Sequence, residues 1–329
     1  MPWWIYAAFI VFVAALILLD LCVLHRGETQ ISVKKALGWT SFWVALAMLF
    51  NVFVYLLYEG YLFKDWITTD HSSGTKAAKE FFAGYVIEYA LSVDNIFVIA
   101  MIIQAFRVPA QYQHRLLFWG IAGAAVLRGI MIFAGVAMIE RFEWTMYLFG
   151  ALLIFSAIRM AKSEDEEFDP EKSSIMRVAK RLFPVTHEFD GKKFFTIQNG
   201  RRTATPMFLA VFLIESCDVM FAVDSIPAVI ALTRDPFIVF TSNIFAILGL
   251  RSLYFALAGL MADFHYLKLA LVVLMVFVGI KMMLSNYYHM PINLSLGVIG
   301  TILAAGIIAS LIHSPPKLKN QTAEKDGHE

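Results

Sequence analysis

The chain has 329 residues, of which 59% are hydrophobic and 16% charged, against the roughly 25% charged found in soluble globular proteins. That balance marks a membrane protein. A formal net charge of +1 argues neither for nor against an ionic partner, and no basic cluster interleaved with aromatics suggests nucleic acid as one. The two cysteines, Cys22 and Cys217, lie in apolar runs without CxxC spacing, which argues against a disulfide framework or a zinc site.

The first apolar stretch, "WWIYAAFIVFVAALILLDLCVL", is too long for a signal h-region and has neither a basic n-region nor a small-x-small cleavage site. It is read as a retained first transmembrane helix. Further runs long enough to cross about 30 Å of hydrocarbon fall near residues 38 to 59, 80 to 105, 116 to 139 and 144 to 161. Four more lie near 205 to 233, 236 to 261, 266 to 285 and 291 to 313. The expected fold is an all-α polytopic membrane protein of about nine transmembrane helices.

Lysine and arginine set the orientation, because the side that retains them during insertion is the cytoplasmic one. With the N-terminus outside, 18 of them fall in inner segments and five in outer ones, nine of the inner set in residues 162 to 204. The expected topology is therefore N-out, C-in. The inner loop opens on the acidic run "SEDEEFDPE", continues through the amphipathic "SIMRVAKRLF" and ends in "KKFFTIQNGRRTAT", where Asn-Gly between strand formers predicts a tight hairpin. The acidic run reads as a solvated linker and the tail, "SPPKLKNQTAEKDGHE", as disordered.

The sequence repeats itself. "EYALSVDNIFV" (88 to 98) aligns with "DVMFAVDSIPA" (218 to 228), "VLRGIMIFAG" (126 to 135) with "GLRSLYFALAG" (249 to 259), and "IFSAIRM" (154 to 160) with "VFVGIKM" (276 to 282). Basic residues stay in register in the last two matches. Helices 3 to 5 and 6 to 8 are read as duplicated units, and three spans per unit make the copies cross in opposite senses. Such inverted repeats characterise many secondary transporters, with the substrate site near the midplane where the halves meet. The expected units are 1–79 (helices 1 and 2), 80–161 (first repeat), 162–204 (loop), 205–285 (second repeat), 286–313 (helix 9) and 314–329 (tail).

A charge at the bilayer centre costs roughly 2.5 to 3.5 kcal/mol on insertion scales, so five central carboxylates, Glu88, Asp94, Glu215, Asp218 and Asp224, demand a reason. Glu215, Asp218 and Ser225 share one helical face, with Asp224 on the neighbouring stripe; Glu88, Ser92 and Asn95 form the matching line in helix 3, with Asp94 beside it. Pro227 is expected to kink or break its helix and free carbonyls near Val223 and Asp224. If Arg128 and Arg251 each pair with one acid, three negative charges remain. Surplus charge with hard oxygen donors points to a cation, and oxygen-rich sites suit magnesium, calcium and manganese. The competing reading for Glu88, Glu215, Arg128 and Arg251 is a salt-bridge network that only pins helices. Cys217 and Met220 are read as packing rather than soft donors. Asp20, Asn51 and Glu59 stay outside the site, Arg159 and Lys281 are expected to snorkel, and Asn243 is expected to hydrogen-bond across helices.

"EYALSVDNIFV" (88 to 98), "ESCDVMFAVDSIPAV" (215 to 229) and "TSNIFAILGLRSLYFALAG" (241 to 259) resemble the TerC family of bacterial integral membrane proteins, particularly its Alx-like branch, over most of residues 35 to 310. The resemblance implies Mn2+ as the transported substrate, export across the bacterial cytoplasmic membrane, a link to tellurium resistance and a distant relationship to LysE-type exporters. It also implies that Glu88, Asp94, Glu215, Asp218 and Asp224 line the path. The expected function is thus a non-enzymatic secondary transporter with no permanently bound cofactor. Asp94, Asp218 and Asp224 would hold the ion with Asn95, Ser225 and carbonyls near Pro227, while Glu88 and Glu215 pair with arginine or exchange protons. An exporter of a cationic amino acid or other organic cation and a non-transporting assembly or stress factor are the alternatives. An intramembrane aspartyl protease fits poorly, because the GxGD signature is absent.

Overall fold

The computed structural model describes residues 1–19, 33–63, 73–142, 144–162, 174–186, 188–198, 200–257, 265–285, 287–288 and 290–312. The acidic run and the tail expected to be disordered lie outside them. Within the described residues each of the nine apolar runs falls on helix. They form α1 (Trp3–Leu19), α2 (Val33–Tyr58), α3 (Gly74–Ala105), α4 (Ala110–Arg141) and α5 (Thr145–Lys162), then α7 (Pro206–Ile230), α8 (Pro236–Leu248), α9 (Leu250–Leu257), α10 (His265–Met283) and α11 (Ile292–Ile312). Among the described residues seven segments are long and apolar enough to cross a membrane, with α8 and α9 counted as one. Helix α1 is apolar but shorter than these.

Between α5 and α7 the amphipathic stretch forms α6 (Ser174–Leu182) and the hairpin forms as expected, β1 (Phe195–Gln198) antiparallel to β2 (Arg201–Ala204). Its turn needs a left-handed residue, and Gly200 supplies it at φ +75°.

Helix ends are set by local chemistry. Ser73 accepts the Lys76 amide at 3.2 Å, and the exposed Glu59 accepts the Gly74 amide at 2.6 Å, which fixes the start of α3. Asp235 accepts the Phe237 amide at 2.8 Å and the Ile238 amide at 3.3 Å, with Pro236 opening α8. The Tyr58 hydroxyl donates to the same carboxylate at 2.7 Å and ties α2 to that cap.

The α8–α9 segment is buried along its whole apolar window and forms the centre of the bundle. Helix α3 packs on α2, α7 and α8; α4 packs on α7 and α8; α5 pairs with α10. The last pair is close because glycines face each other: a Cβ on either Gly150 or Gly279 would sit 2.9 Å from the other's carbonyl oxygen. Small residues at such crossings let membrane helices gain contact that lipid cannot give them.

Pro227 does not break its helix. Helix α7 runs unbroken to Ile230, and the Ala231 amide bonds the Pro227 carbonyl at 2.9 Å. The proline sits in the last turn, where only the Val223 carbonyl loses its helical donor and the flanking turns hold the helix together.

Candidate functional site

The site is built where α3, α4 and α7 meet. Arg128 lies well inside α4 and is fully buried. Its Nε donates to Asp218 Oδ2 at 3.1 Å and its Nη2 to Asp218 Oδ1 at 2.8 Å, the two-pronged geometry that makes arginine a strong carboxylate partner. Its Nη1 donates to Ser225 Oγ at 3.4 Å and pairs with Glu88 Oε1. Glu88 is fully buried on α3, so one guanidinium bridges two helices and two carboxylates.

This differs from one arginine per acid. Asp218, expected among the ion ligands, spends both oxygens on Arg128 in this state, and Ser225 faces the same cation. Counting charges alone cannot show that a guanidinium with five donors has room for two acids. The side chains of Arg251 and Asp94 lie outside the described residues.

Glu215, one turn before Asp218, faces α4 as well. A Cβ at Gly123 would overlap its carboxylate, so Gly123 makes the space that Glu215 occupies. The Oε2 of Glu215 is buried with no hydrogen-bond partner among the described residues. The shared face of Glu215, Asp218 and Ser225 is thereby real. Asp224, on the next stripe, turns instead to α5, where Ser156 Oγ donates to its Oδ1 at 2.6 Å. Arg159, exposed and one turn beyond Ser156, is on the same side of α5.

Asn95 and Asp218 reach a cavity between α3, α4, α7 and α9 with about 30 Å³ open to water-sized guests. Cys217 and Tyr254 line it too, but its wall is mostly apolar. Since one water needs roughly 10–15 Å³ of such space, it has room for two or three waters or a single ion. Ser92 Oγ, nearby in sequence, is buried with no hydrogen-bond partner among the described residues. Among the described residues no three His, Cys, Asp or Glu side chains converge as a metal cage.

Asn243 does not bond across helices as expected; its amide donates to the Val239 carbonyl of its own helix at 2.9 Å. Met220 is exposed and Cys217 buried, so only the cysteine is within the protein. Sequence reasoning missed Ser156 and Gly123. Ser156 lies within "IFSAIRM", three residues before Arg159, and that one-turn spacing was the available signal. Also missed is Glu80, buried two turns before Glu88, whose Oε2 accepts the Thr233 hydroxyl at 2.7 Å.

The model of the TerC family, integral membrane proteins, matches residues 73–318. This chain belongs to the TerC family. An uncharacterized membrane protein of Myxococcus xanthus is 49% identical over 310 residues, covering 94% of this chain and 92% of its own length. A protein of Escherichia coli (strain K12) named "Putative membrane-bound redox modulator Alx" is 43% identical over 305 residues, 92% of this chain and 93% of that one. The protein of the same name in Salmonella typhi is 42% identical over 306 residues, 92% of each chain. No solved structure matches. The TerC chain is thus an integral, multi-pass membrane protein.

Proposed function

We propose that this TerC-family protein is a secondary transporter that moves a divalent metal cation, Mn2+, outward across the bacterial cytoplasmic membrane in exchange for protons. The observation that carries the reading is the charge balance among the described residues: Arg128 offsets one unit of charge, while Glu88, Asp218, Glu215 and Asp224 bring four carboxylates to α3 and α7. Intramembrane charge left without a counterion marks an ion or proton path. The adjoining cavity has room for an ion or a few waters, which favours a metal over a bulkier organic cation.

The packing supports an inverted repeat. Exchanging α3 with α7, α4 with α8 and α5 with α10 turns the α3–α8 contact into the α7–α4 contact and leaves the α5–α10 pair on itself. In this reading the two halves rock about the α5–α10 crossing, and the ion is held in a state where Asp94 and Asp224 join Asp218. Glu215, which has an unpartnered oxygen, carries the proton. The redox role in the relatives' name finds no CxxC pair in this chain, whose Cys217 is a free, buried thiol.

Manganese uptake into everted vesicles tests the reading. Asp94→Asn and Asp224→Asn should each lower the rate at least about tenfold, the cost of losing one charged ligand contact worth roughly 1.5 kcal/mol or more, and added lysine should not compete. Native rates in both variants would remove the proposed site.

A further inference from the structure

We propose that α6 and the β1–β2 hairpin form a docking surface for the anionic phospholipid headgroups of the surrounding bilayer. Helix α6 divides by side. Arg177, Lys180 and Arg181 occupy one arc and are exposed, while its apolar residues occupy the other. Only half of that apolar arc is used by the protein: Met176 and Ala179 are buried beside α7. Val178 and Leu182, four apart on the remaining half, are 51% and 64% exposed. The hairpin repeats the pattern, since Ile197, 72% exposed, stands opposite the exposed Arg202 on one sheet face.

Two observations select lipid as the occupant. Residues 174–204 hold seven lysines and arginines against two acidic residues, so the module attracts anions. It also sits where the membrane begins: β2 ends at Ala204 and the membrane-crossing α7 starts at Pro206, a reach of at most about 7 Å. Ring contacts of Phe208 with Phe195 at 4.6 Å and with Phe183 at 5.0 Å clamp hairpin and α6 onto the first turn of α7. Exposed apolar side chains flanked by basic ones at that level match an interfacial helix, whose apolar side enters the acyl boundary while its cations meet phosphates.

The test uses the full chain in nanodiscs of phosphatidylcholine with or without phosphatidylglycerol. Spin-labelled phosphatidylglycerol should be motionally restricted several-fold more than spin-labelled phosphatidylcholine, falling to parity in 0.5 M salt because screening shortens the reach of the charges. Arg177→Gln/Arg181→Gln/Arg202→Gln should lose the preference, and the corresponding lysine variant should keep it. Hydrogen exchange in α6 and β1–β2 should slow only in the anionic discs. Equal restriction of the two lipids by the native chain, or a preference that survives the glutamine variant, overturns the proposal. So does exchange equally slow in detergent and both discs, which would mean that residues 163 to 171 or another part of the chain already cover the patch.

Discussion

Two ion pairs in this molecule have similar contact distances and opposite surroundings. Arg128 meets Asp218 at 2.8 Å with side chains 0% and 11% exposed, whereas Lys193 meets Asp190 at 3.1 Å with side chains 69% and 41% exposed. At the effective dielectric of a protein interior the same charges attract roughly four times more strongly than in bulk water. Removing them from water also costs far more, so the buried pair is held to its partners while the exposed one is free to exchange them for solvent. Distance describes both pairs equally well; burial decides what each is worth.

The sharpest way to break the comparison is to remove the buried cation. Arg128→Gln leaves Glu88 and Asp218 facing each other without compensation and should cost about 3 to 5 kcal/mol, seen as a lowered unfolding midpoint in detergent. Adding Glu88→Gln and Asp218→Asn to that variant should recover most of the loss, since the cost lies in uncompensated charge rather than in missing contacts. A single variant as stable as the native chain would mean that the three groups are not a closed network.

Gly123 tests the same core by steric means. A methyl group there must displace the Glu215 carboxylate, and overpacking of this kind costs about 1 to 3 kcal/mol. Gly123→Ala should therefore lower the unfolding midpoint by less than Arg128→Gln does. Glu215→Ala in the same chain should relieve the overlap and raise the midpoint again. If the two substitutions simply add, Glu215 points elsewhere and the space beside Gly123 has another use.

Much of this core could be read from the sequence, and the part that could not has one cause. Helical periodicity put Glu215, Asp218 and Ser225 on one face and Asp224 on the next, and the structure keeps that division. Periodicity names faces but not neighbours. That Arg128 would take acids from both α3 and α7, or that Asp224 would find Ser156 on α5, depends on which faces meet across helices. The unused signals were small: a serine in an apolar helix and a glycine among alanines carry no charge to attract notice. Pro227 misled for a related reason, because a proline's local penalty is outweighed when it falls in the final turn of a packed helix. The two strands of the Asn-Gly hairpin were legible, since their pairing is decided by a local turn signal.

The exposed pair should respond least, and only to pH. The Thr196 hydroxyl at 2.8 Å and then Lys193 hold the Asp190 carboxyl below its ordinary value near 3.8. A lowered folded value means that the contribution to hairpin stability is complete above about 3.8 and fades as pH falls through the folded value. Hydrogen exchange of the β1–β2 amides, corrected for intrinsic rates, should therefore quicken on acidification below that point by no more than a few-fold, the scale of an exposed, screened pair. Asp190→Asn should flatten this acid response while leaving neutral-pH exchange nearly unchanged. A large neutral-pH change in that variant would show that Asp190 does more than pair with Lys193, and that exposure alone does not separate the two regions.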